Sequence, residues 1–472
     1  MLEILAARLM APYVGVSLNT YTGIIGTVLG GIAAGAWVGG WAADRVPPRY
    51  LLGPLLIVGG LLVMTSSPLV TLLGEHLHAA SLRAIIALSA ATVFLPAFVL
   101  SAVTPVVVKM QLQDLTTTGR VVGRMSGIAT AGALVGTFGT GFILAERLHT
   151  HVILLIVGAV LVALGAILSR RLMRRLRPIA AVLLIGAVLT AAAAGAGVQG
   201  PCKVESGYFC IRVLSAPPGD SGRILMLDDV AHSYADVGNP RYLGFPYVRV
   251  LAAAMDGLAE PGERLAVLHI GGGAFTLPMY VAATRPGSVN KVMEIDPAVV
   301  DTARADFGLR SGPRLQVEVG DAGVLTTRER PLSYDFIVGD AFSSRSPPWQ
   351  LTTREFLGRL RKLLRPRGAY LMNVIDDGRA FVRAEAATMQ RVFPHVVVLE
   401  LPGETNHVLV GANAPIDVAA LRRQAMRMGV PVLPLTGASL GQLIGDAHVL
   451  ENDFAPVDQL LNAGGSPVVA QR

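Results

Sequence analysis

Charged residues are scarce in this sequence. Only 15% of its 472 residues are Asp, Glu, Lys or Arg, 52% are hydrophobic, and the mean hydropathy is +0.54. Such a balance excludes a wholly soluble protein and indicates membrane spans. The polar residues are concentrated after about position 200. The sequence therefore predicts an apolar N-terminal half and a C-terminal half of mixed composition.

Features of nucleic-acid binding and of secretion are also missing. No run interleaves basic and aromatic residues, and the net charge of +7 comes largely from arginines in short loops between apolar runs. Membrane topology explains that charge better than a nucleic-acid partner, so we expect none. The opening "MLEILAARLMAPYVG" lacks a basic start followed by a cleavage site, so it predicts no cleavable signal peptide. It resembles the second half of a membrane helix.

Six apolar runs reach the length of about 20 residues that a membrane span needs. With the short opening segment they predict about seven spans within residues 1–199. The centres of the six runs carry almost no ionisable groups, which disfavours a proton- or cation-coupled transporter. The six runs are Tyr21–Ala42, Leu51–Leu73, Leu82–Val108, Val121–Ala145, His151–Leu168 and Pro178–Val198.

Arginine and lysine fall in alternate loops, "ADRVPPRY", "KMQLQDLTTTGRVVGR" and "SRRLMRRLRP". The positive-inside rule puts these loops in the cytoplasm. We therefore expect an integral inner-membrane protein in contact with lipid, whose residues after about Gln199 face the extracytoplasmic side. Cys202 and Cys210 are the only cysteines and lie just beyond the last span. A disulfide suits that compartment, and two buried thiols are the alternative.

The C-terminal half alternates strands and helices. The stretch "LHIGGGAFTLPMYVAATRPGSVNKVMEIDP" shows strand, glycine turn, helix, strand and acid, and later strands end at Asp321 and Asp340. This order predicts a parallel sheet with ligands at the carboxyl ends of its strands. The preceding "YFCIRVLS" and "GRILMLDDVAHSYAD" predict a β-hairpin lid. The predicted fold is multi-domain: an all-α membrane bundle (1–199), a lid (200–245) and a Rossmann-like α/β domain (246–472).

The acids at the strand ends suggest an adenosyl ligand. Gly271, Gly272 and Gly273 would let the backbone approach it closely. Glu294 has the spacing of a carboxylate that binds ribose hydroxyls, and Asp321 would accept from an adenine amino group. Alternatively, these acids only cap the helices that follow. No pattern of metal ligands is present, so no metal is expected.

Residues 204–460 resemble the spermidine synthase family, and specifically its membrane-fused bacterial branch. The resemblance rests on "LMLDDVAHSY", "GGGAFTLP", "VMEIDPAVV", "VGDA", "YDFIVGDAFSS", "LTTREF" and "LLRPRGAYLMNVID". It implies transfer of an aminopropyl group from decarboxylated S-adenosylmethionine to an amine, with release of methylthioadenosine. It also implies that Asp340 and Tyr247 serve the reacting amine and that His232 contacts the donor. Implied ligand contacts also include Ala322 beside Asp321 for the adenosyl group, and Tyr234, Ser343 and Asp376 for the substrate.

The sequence departs from the family at three acids. Soluble members have Asp-Ser-x-Asp-Pro where this chain has "DAFSS", so Ser343 replaces the second acid. Ala274 replaces the acid that pairs with the donor's ammonium, and Arg249 stands where a glutamate follows the tyrosine. These changes weaken putrescine as the acceptor more than they weaken an S-adenosyl ligand.

Three functions stay open at this point. The first is a membrane-anchored aminopropyltransferase that acts on an amine or polyamine. The second is a methyltransferase that uses intact S-adenosylmethionine, and the third is a non-catalytic adenosyl-binding domain coupled to a membrane bundle. The fold does not decide among them. The sequence also leaves room for a homo-oligomer.

Overall fold

The structure is a computed structural model that describes residues 1–15, 18–74, 82–112, 118–169, 201–216 and 221–463. Contacts between residues divide the chain into two compact units, and the boundary in the sequence falls between Cys210 and Ile211. Unit 1 holds the apolar half, and unit 2 extends from Ile211 to Ser466.

Unit 1 is helical, with π-helical turns at Ala90–Phe94 and Thr140–Leu144. Five of its helical stretches are long and apolar enough to span a membrane, and each overlaps one of the runs read from the sequence. Helix α1 has 13 residues and is shorter than a span, whereas Pro178–Val198 lies outside the described residues. The helices are α1 (Leu2–Val14), α2 (Leu18–Arg45), α3 (Pro48–Gly74), α4 (Leu82–Ser89), α5 (Leu95–Ser101), α6 (Val103–Gln111), α7 (Thr118–Gly139), α8 (Ala145–Arg147) and α9 (Thr150–Leu168).

Hydrogen bonds between polar side chains connect the ends of some of these helices to other segments. Lys109, near the end of α6, donates to Asp44 at the end of α2 at 2.8 Å. The backbone and hydroxyl of Thr150, at the start of α9, both donate to Glu205 at 2.9 Å. The first contact joins two loops that the arginine pattern assigns to one side. The second joins the α8–α9 loop to the segment that follows residue 200, which the same pattern assigns to the other side. Which side faces the cytoplasm stays a prediction.

The predicted disulfide is present. Cys202 and Cys210 are joined, with their Cα atoms 5.1 Å apart, around a loop that contains strand β1 (Val204–Glu205). The hydroxyl of Ser206 accepts hydrogen bonds from the N–H groups of Tyr208 and Phe209, which stabilises a tight turn between the two cysteines.

Unit 2 opens with three antiparallel strands and continues into an eight-stranded sheet. The order of that sheet is β12-β10-β11-β9-β8-β5-β6-β7, and its strands from β9 to β7 are parallel. The parallel part is the predicted one, while β11, β10 and β12 extend it antiparallel. The strands are β2 (Cys210–Ser215), β3 (Gly222–Leu227), β4 (Val230–Asp236), β5 (Ala266–Ile270), β6 (Val289–Glu294), β7 (Leu315–Val319), β8 (Tyr334–Gly339), β9 (Leu364–Ile375), β10 (His395–Glu400), β11 (Asn406–Ala412) and β12 (Leu433–Leu435).

Helices cover both faces of this sheet, as a doubly wound fold requires. Leu268 and Ile270 face one core and Val267 faces the other, so successive residues of β5 point to opposite sides. The helices are α10 (Pro246–Leu258), α11 (Thr276–Thr284), α12 (Pro297–Asp306), α13 (Ala322–Leu325), α14 (Arg354–Leu363), α15 (Ala380–Val392), α16 (Val418–Arg427), α17 (Gly437–Ile444) and α18 (Val457–Asn462).

Candidate active site

A row of polar side chains follows the carboxyl edge of the sheet. Strand alternation puts Asp340, Asn373 and Asn406 on the face of β8, β9 and β11 that also carries Val338, Leu371 and Val408. Each of the three lies near the end of the sheet where a doubly wound fold binds its ligand. The apolar residues below them anchor the row in the core.

The glycine turn is built as predicted. Gly271 and Gly273 have φ of 94° and 51°, which favour glycine, and a Cβ at Gly271 would lie 2.5 Å from the carbonyl oxygen of Asp340. The N–H of Gly272 donates to Oε2 of Glu294 at 2.8 Å. Burial raises the pKa of Glu294, and backbone N–H groups, including that of Gly272, act in the opposite direction. A hydrogen bond therefore joins the glycine turn to Glu294 at the end of β6.

Two of the family departures have structural explanations. Ala274 is fully buried, and its N–H donates to the hydroxyl of Ser233 at 3.2 Å. It is thus covered by Ser233 of β4. The guanidinium of Arg249 donates to the carbonyls of Leu243 and Gly244 at 2.7 and 2.9 Å. It stabilises the entry into α10.

Asp340 follows β8 directly and is held at both oxygens. Its Oδ1 accepts from the side-chain amide of Asn373 at 2.8 Å, and its Oδ2 lies 3.4 Å from the hydroxyl of Tyr247. The pKa of Asp340 is raised to about 6, because burial raises it by more than these two hydrogen bonds lower it. Such a carboxylate is largely ionised at neutral pH yet accepts a proton readily.

Tyr247 links Asp340 to strand β4. Its hydroxyl also lies 3.2 Å from the backbone carbonyl of His232, and burial raises the pKa of the phenol well above its usual value. Burial lowers the pKa of the His232 imidazole to about 4, although Asp229 acts in the opposite direction. Both groups are therefore neutral at pH 7.

Two predicted ligand residues accept hydrogen bonds from backbone N–H groups near the starts of helices. Oδ1 of Asp321 accepts from the N–H of Gly323 at 2.7 Å, next to Ala322 at the start of α13. The two carboxylate oxygens of Asp376 accept from backbone N–H groups at Arg379 and Val382, around the start of α15. The capping alternative is thus realised at Asp321, and the roles of both residues in ligand binding stay predictions.

The loop after Asp340 is pinned by an acid from the turn between β3 and β4. Asp229 accepts from the hydroxyl of Ser344 at 3.1 Å and from the guanidinium of Arg345 at 2.8 and 3.2 Å. Ser344 is buried with a φ of 62°, whereas Ser343 is exposed and pairs with Ser346. Ser343 therefore lies on the outer side of this loop.

A small cavity of about 30 Å³ joins several of these groups. Tyr234, Tyr247 and Asp340 line it, and its polar lining also includes Ser233, His269 and Thr276. Nε2 of His269 lies 3.0 Å from Oδ1 of Asn290, and burial lowers the pKa of His269 to about 4. A neutral imidazole is thus part of the lining of the cavity.

Comparisons with known proteins point to transferases. The chain is 31% identical to the polyamine aminopropyltransferase of Vibrio vulnificus over 229 residues, which cover 46% of the chain and 75% of that protein. It is 30% identical over 165 residues to the eEF1A lysine and N-terminal methyltransferase of Danio rerio, of which it spans 24%. A probable spermidine synthase from Corynebacterium glutamicum aligns with 53% of the chain and 95% of its own, at 26% identity and a TM-score of 0.49. No family model matches.

The first of these similarities covers three quarters of the polyamine aminopropyltransferase of Vibrio vulnificus. The chain belongs to the polyamine aminopropyltransferase family. Both relatives are transferases, which supports a transferase activity for this chain. Within the described residues, no cluster of three or more His, Cys, Asp or Glu is arranged to hold a metal ion.

Sequence reasoning missed four side chains of this aminopropyltransferase-family site. Asn373 donates to Asp340, and Asn406 donates to Asn373. Ser233 covers Ala274, and His269 lines the cavity. A sequence signal exists for Asn373 and His269, because each is a polar residue inside an apolar strand, in "AYLMNVI" and "AVLHI". A buried polar group of this kind needs a partner, which the sequence does not name.

Proposed function

We propose that the protein is a membrane-anchored aminopropyltransferase. It moves an aminopropyl group from decarboxylated S-adenosylmethionine to an amine and releases methylthioadenosine. The observation that carries this proposal is Asp340, held by Asn373 and Tyr247 at the end of β8 and beside the glycine turn. Family membership supports the same reaction.

The reaction needs a proton acceptor. An amine is cationic at pH 7 and must lose one proton before its lone pair attacks the carbon next to the donor's sulfonium. Asp340 takes that proton, the new C–N bond forms, and the C–S bond breaks so that its electron pair stays on the neutral sulfur of methylthioadenosine. A pKa of about 6 suits this role, because the carboxylate is ionised at neutral pH. Positioning of the amine against the carbon supplies much of the remaining acceleration.

The adenosyl group occupies the glycine edge in this proposal. Gly271–Gly273 approach it with their backbone, Glu294 binds the ribose hydroxyls, and Asp321 with Ala322 contacts the adenine. The buried Glu294, already bound to the N–H of Gly272, supports a carboxylate fixed in place for the ribose. His232 and Tyr234 lie on β4 and line the donor side, and strands β2–β4 act as a lid over it.

The acceptor carries fewer positive charges than a diamine. Ser343 stands where soluble members have an acid, and the nearby Asp229 is already neutralised by Arg345. Asp340 is then the one acid of this cluster that faces the amine. We propose a monoamine as the preferred acceptor over putrescine.

The membrane part anchors the enzyme. Five helices of spanning length and the disulfide between Cys202 and Cys210 support an inner-membrane protein whose catalytic unit faces the extracytoplasmic side. The donor is made in the cytosol, so this orientation requires that it be exported or delivered to the site.

A product assay tests the reaction. Purified full-length protein is incubated with an amine and either decarboxylated or intact S-adenosylmethionine, and the products are measured by mass spectrometry. We expect methylthioadenosine from the decarboxylated donor, more with 1-aminobutane than with 1,4-diaminobutane, and little with Asp340→Asn. Asp301→Asn, on the exposed face of α12, is the matched control.

Methyl transfer is the second candidate, because a lysine methyltransferase shares 30% identity over 165 residues. S-adenosylhomocysteine as the product would establish that reaction in place of ours. Tight binding of methylthioadenosine without turnover of either donor would instead favour a binding domain.

A further inference from the structure

The side-chain amides of Asn373 and Asn406 form a chain that ends on Asp340. The Nδ2 group of Asn406 donates to Oδ1 of Asn373 at 2.9 Å, and Nδ2 of Asn373 donates to Oδ1 of Asp340 at 2.8 Å. Both asparagines lie on the Asp340 face of the sheet. They are diagonal neighbours, since Asn373 pairs with Val408 and Asn406 with Ile375 in the antiparallel ladder.

The direction of this chain matters. An asparagine amide has one donating and one accepting end. Because Asn406 donates to the oxygen of Asn373, the NH₂ group of Asn373 is turned toward Asp340. If Asn373 were reversed, its carbonyl oxygen would face the carboxylate, which favours a protonated Asp340. Asn373 is only 2% exposed, so water does not readily replace either bond.

The two oxygens of Asp340 are then unequal. Oδ1 holds a short hydrogen bond from Asn373, whereas the hydroxyl of Tyr247 lies 3.4 Å from Oδ2, beyond the usual range for an O–H···O bond. Oδ2 thus keeps lone pairs free for an incoming amine. The bond at Oδ1 both orients the carboxylate and favours its ionised form.

We propose that Asn373, oriented by Asn406, is a positioning residue that keeps Asp340 ionised and aims Oδ2 at the acceptor amine. The proposal rests on the proposed function of Asp340 as the proton acceptor. Asn406 acts on the reaction through Asn373, whose side chain lies between it and Asp340. The family resemblance assigns no role to either asparagine, although Asn373 lies within its motif "LLRPRGAYLMNVID".

The test compares variants of nearly equal size. Asn373→Leu removes the donor to Asp340, and Asn406→Leu removes the group that orients Asn373. Asn406→Asp keeps the shape of the side chain but offers an acceptor, which draws the NH₂ group of Asn373 away from Asp340. Asn413→Leu is the control, because Asn413 lies just beyond the opposite end of β11 and bonds to Arg361 and the Arg365 carbonyl.

Two readouts are measured on the full-length protein. The first is the pKa of Asp340, from infrared difference spectra of its carboxyl stretch with Asp340→Asn as the assignment standard. The second is kcat/KM for methylthioadenosine release between pH 5 and 9. We expect Asn373→Leu to raise the pKa of Asp340 from about 6 to about 7–8 and to lower kcat/KM at pH 7 by about two- to tenfold, with recovery near pH 9.

Asn406→Leu and Asn406→Asp should raise the same pKa, Asn406→Asp more strongly, and Asn413→Leu should leave it unchanged. A merely structural role would lower the melting temperature in these variants without moving the pKa of Asp340 in the folded protein, and that result would overturn the inference. If the pKa moves as expected but the wild type makes no methylthioadenosine, the amide chain stands and the proposed reaction fails.

Discussion

The hydroxyl of Tyr247 lies between two acceptors, 3.2 Å from the backbone carbonyl of His232 and 3.4 Å from Oδ2 of Asp340. This shared position makes its bond to Asp340 weak. The phenol also stays neutral, because burial raises its pKa. Tyr247 thus borders the Asp340 carboxylate without neutralising it.

Variants at these two positions should differ strongly in activity. Asp340→Asn removes the proton acceptor, so we expect a loss of about 10²–10⁴-fold in methylthioadenosine release. Tyr247→Phe removes a long, shared hydrogen bond, so we expect a loss of about tenfold or less. Both rates are measured at saturating donor, and calorimetry with methylthioadenosine checks that binding is retained. Full activity in Asp340→Asn would contradict the mechanism.

The pH dependence of the reaction should follow Asp340. Burial raises its pKa to about 6, and only the ionised form accepts a proton. The logarithm of kcat/KM should therefore fall with decreasing pH below about 6 and level off above it, until another group or the amine itself titrates. An acid limb centred near pH 4, the ordinary range of an aspartate, would show that a different group is titrating.

Asp321 offers a way to separate capping from ligand binding. Asp321→Ser keeps a side-chain oxygen that accepts from the N–H of Gly323, so α13 should remain capped. The shorter hydroxyl no longer reaches the adenine, and we expect at least a tenfold loss of methylthioadenosine affinity in calorimetry. Thr353→Ser, a cap of α14 away from the glycine turn, is the control. Unchanged affinity in Asp321→Ser would assign Asp321 to capping alone.

The disulfide predicts the side of the membrane on which unit 2 lies. If Cys202 and Cys210 face the extracytoplasmic side, an impermeant thiol reagent added to intact cells should label the protein only after reduction. The reduced label should disappear in Cys202→Ser/Cys210→Ser, which serves as the control because the chain has two cysteines. Labelling without reductant that requires cell lysis would place free thiols in the cytoplasm and reverse the orientation.

The burial of Glu385 should make the free energy of unfolding depend on pH. This residue of α15 is fully buried, neither carboxyl oxygen has a hydrogen-bond partner, and burial raises its pKa well above the usual value. As the pH rises through the ordinary pKa of about 4.5, the unfolded chain loses this proton first, so the free energy of unfolding falls. Glu385→Met should remove that loss and raise the melting temperature more at pH 8 than at pH 5.

The control for this effect is Glu260→Met, at an exposed position. Thermal unfolding of the full-length protein at both pH values measures the difference, and titration of all other groups cancels between wild type and variant. If Glu385→Met and the wild type have melting temperatures that change equally with pH, Glu385 does not titrate in this range and the prediction is wrong.

The sequence alone determined the elements that depend on local pattern. The helices that are long and apolar enough to span a membrane followed from the apolar runs, since a bilayer requires about 20 apolar residues in a row. The glycine turn, with Glu294, Asp321 and Asp340 at the strand ends, followed from strand–helix alternation, because parallel strands bring their carboxyl ends to one edge. Pro278 sits in the first turn of α11 as expected, since proline is tolerated there.

Only the tertiary structure decided which of these residues meet. Asn406 reaches Asn373 because β11 pairs antiparallel with β9, and no local pattern in the sequence encodes that register. Asp229 neutralises Arg345 from 116 positions away, and Ser233 covers Ala274 from 41 positions away. Whether an acid caps a helix, binds an arginine or remains available to a substrate depends on its neighbours in space. For Asp340, burial raises the pKa, and the two hydrogen-bond partners that act to lower it lie 33 and 93 positions distant along the chain.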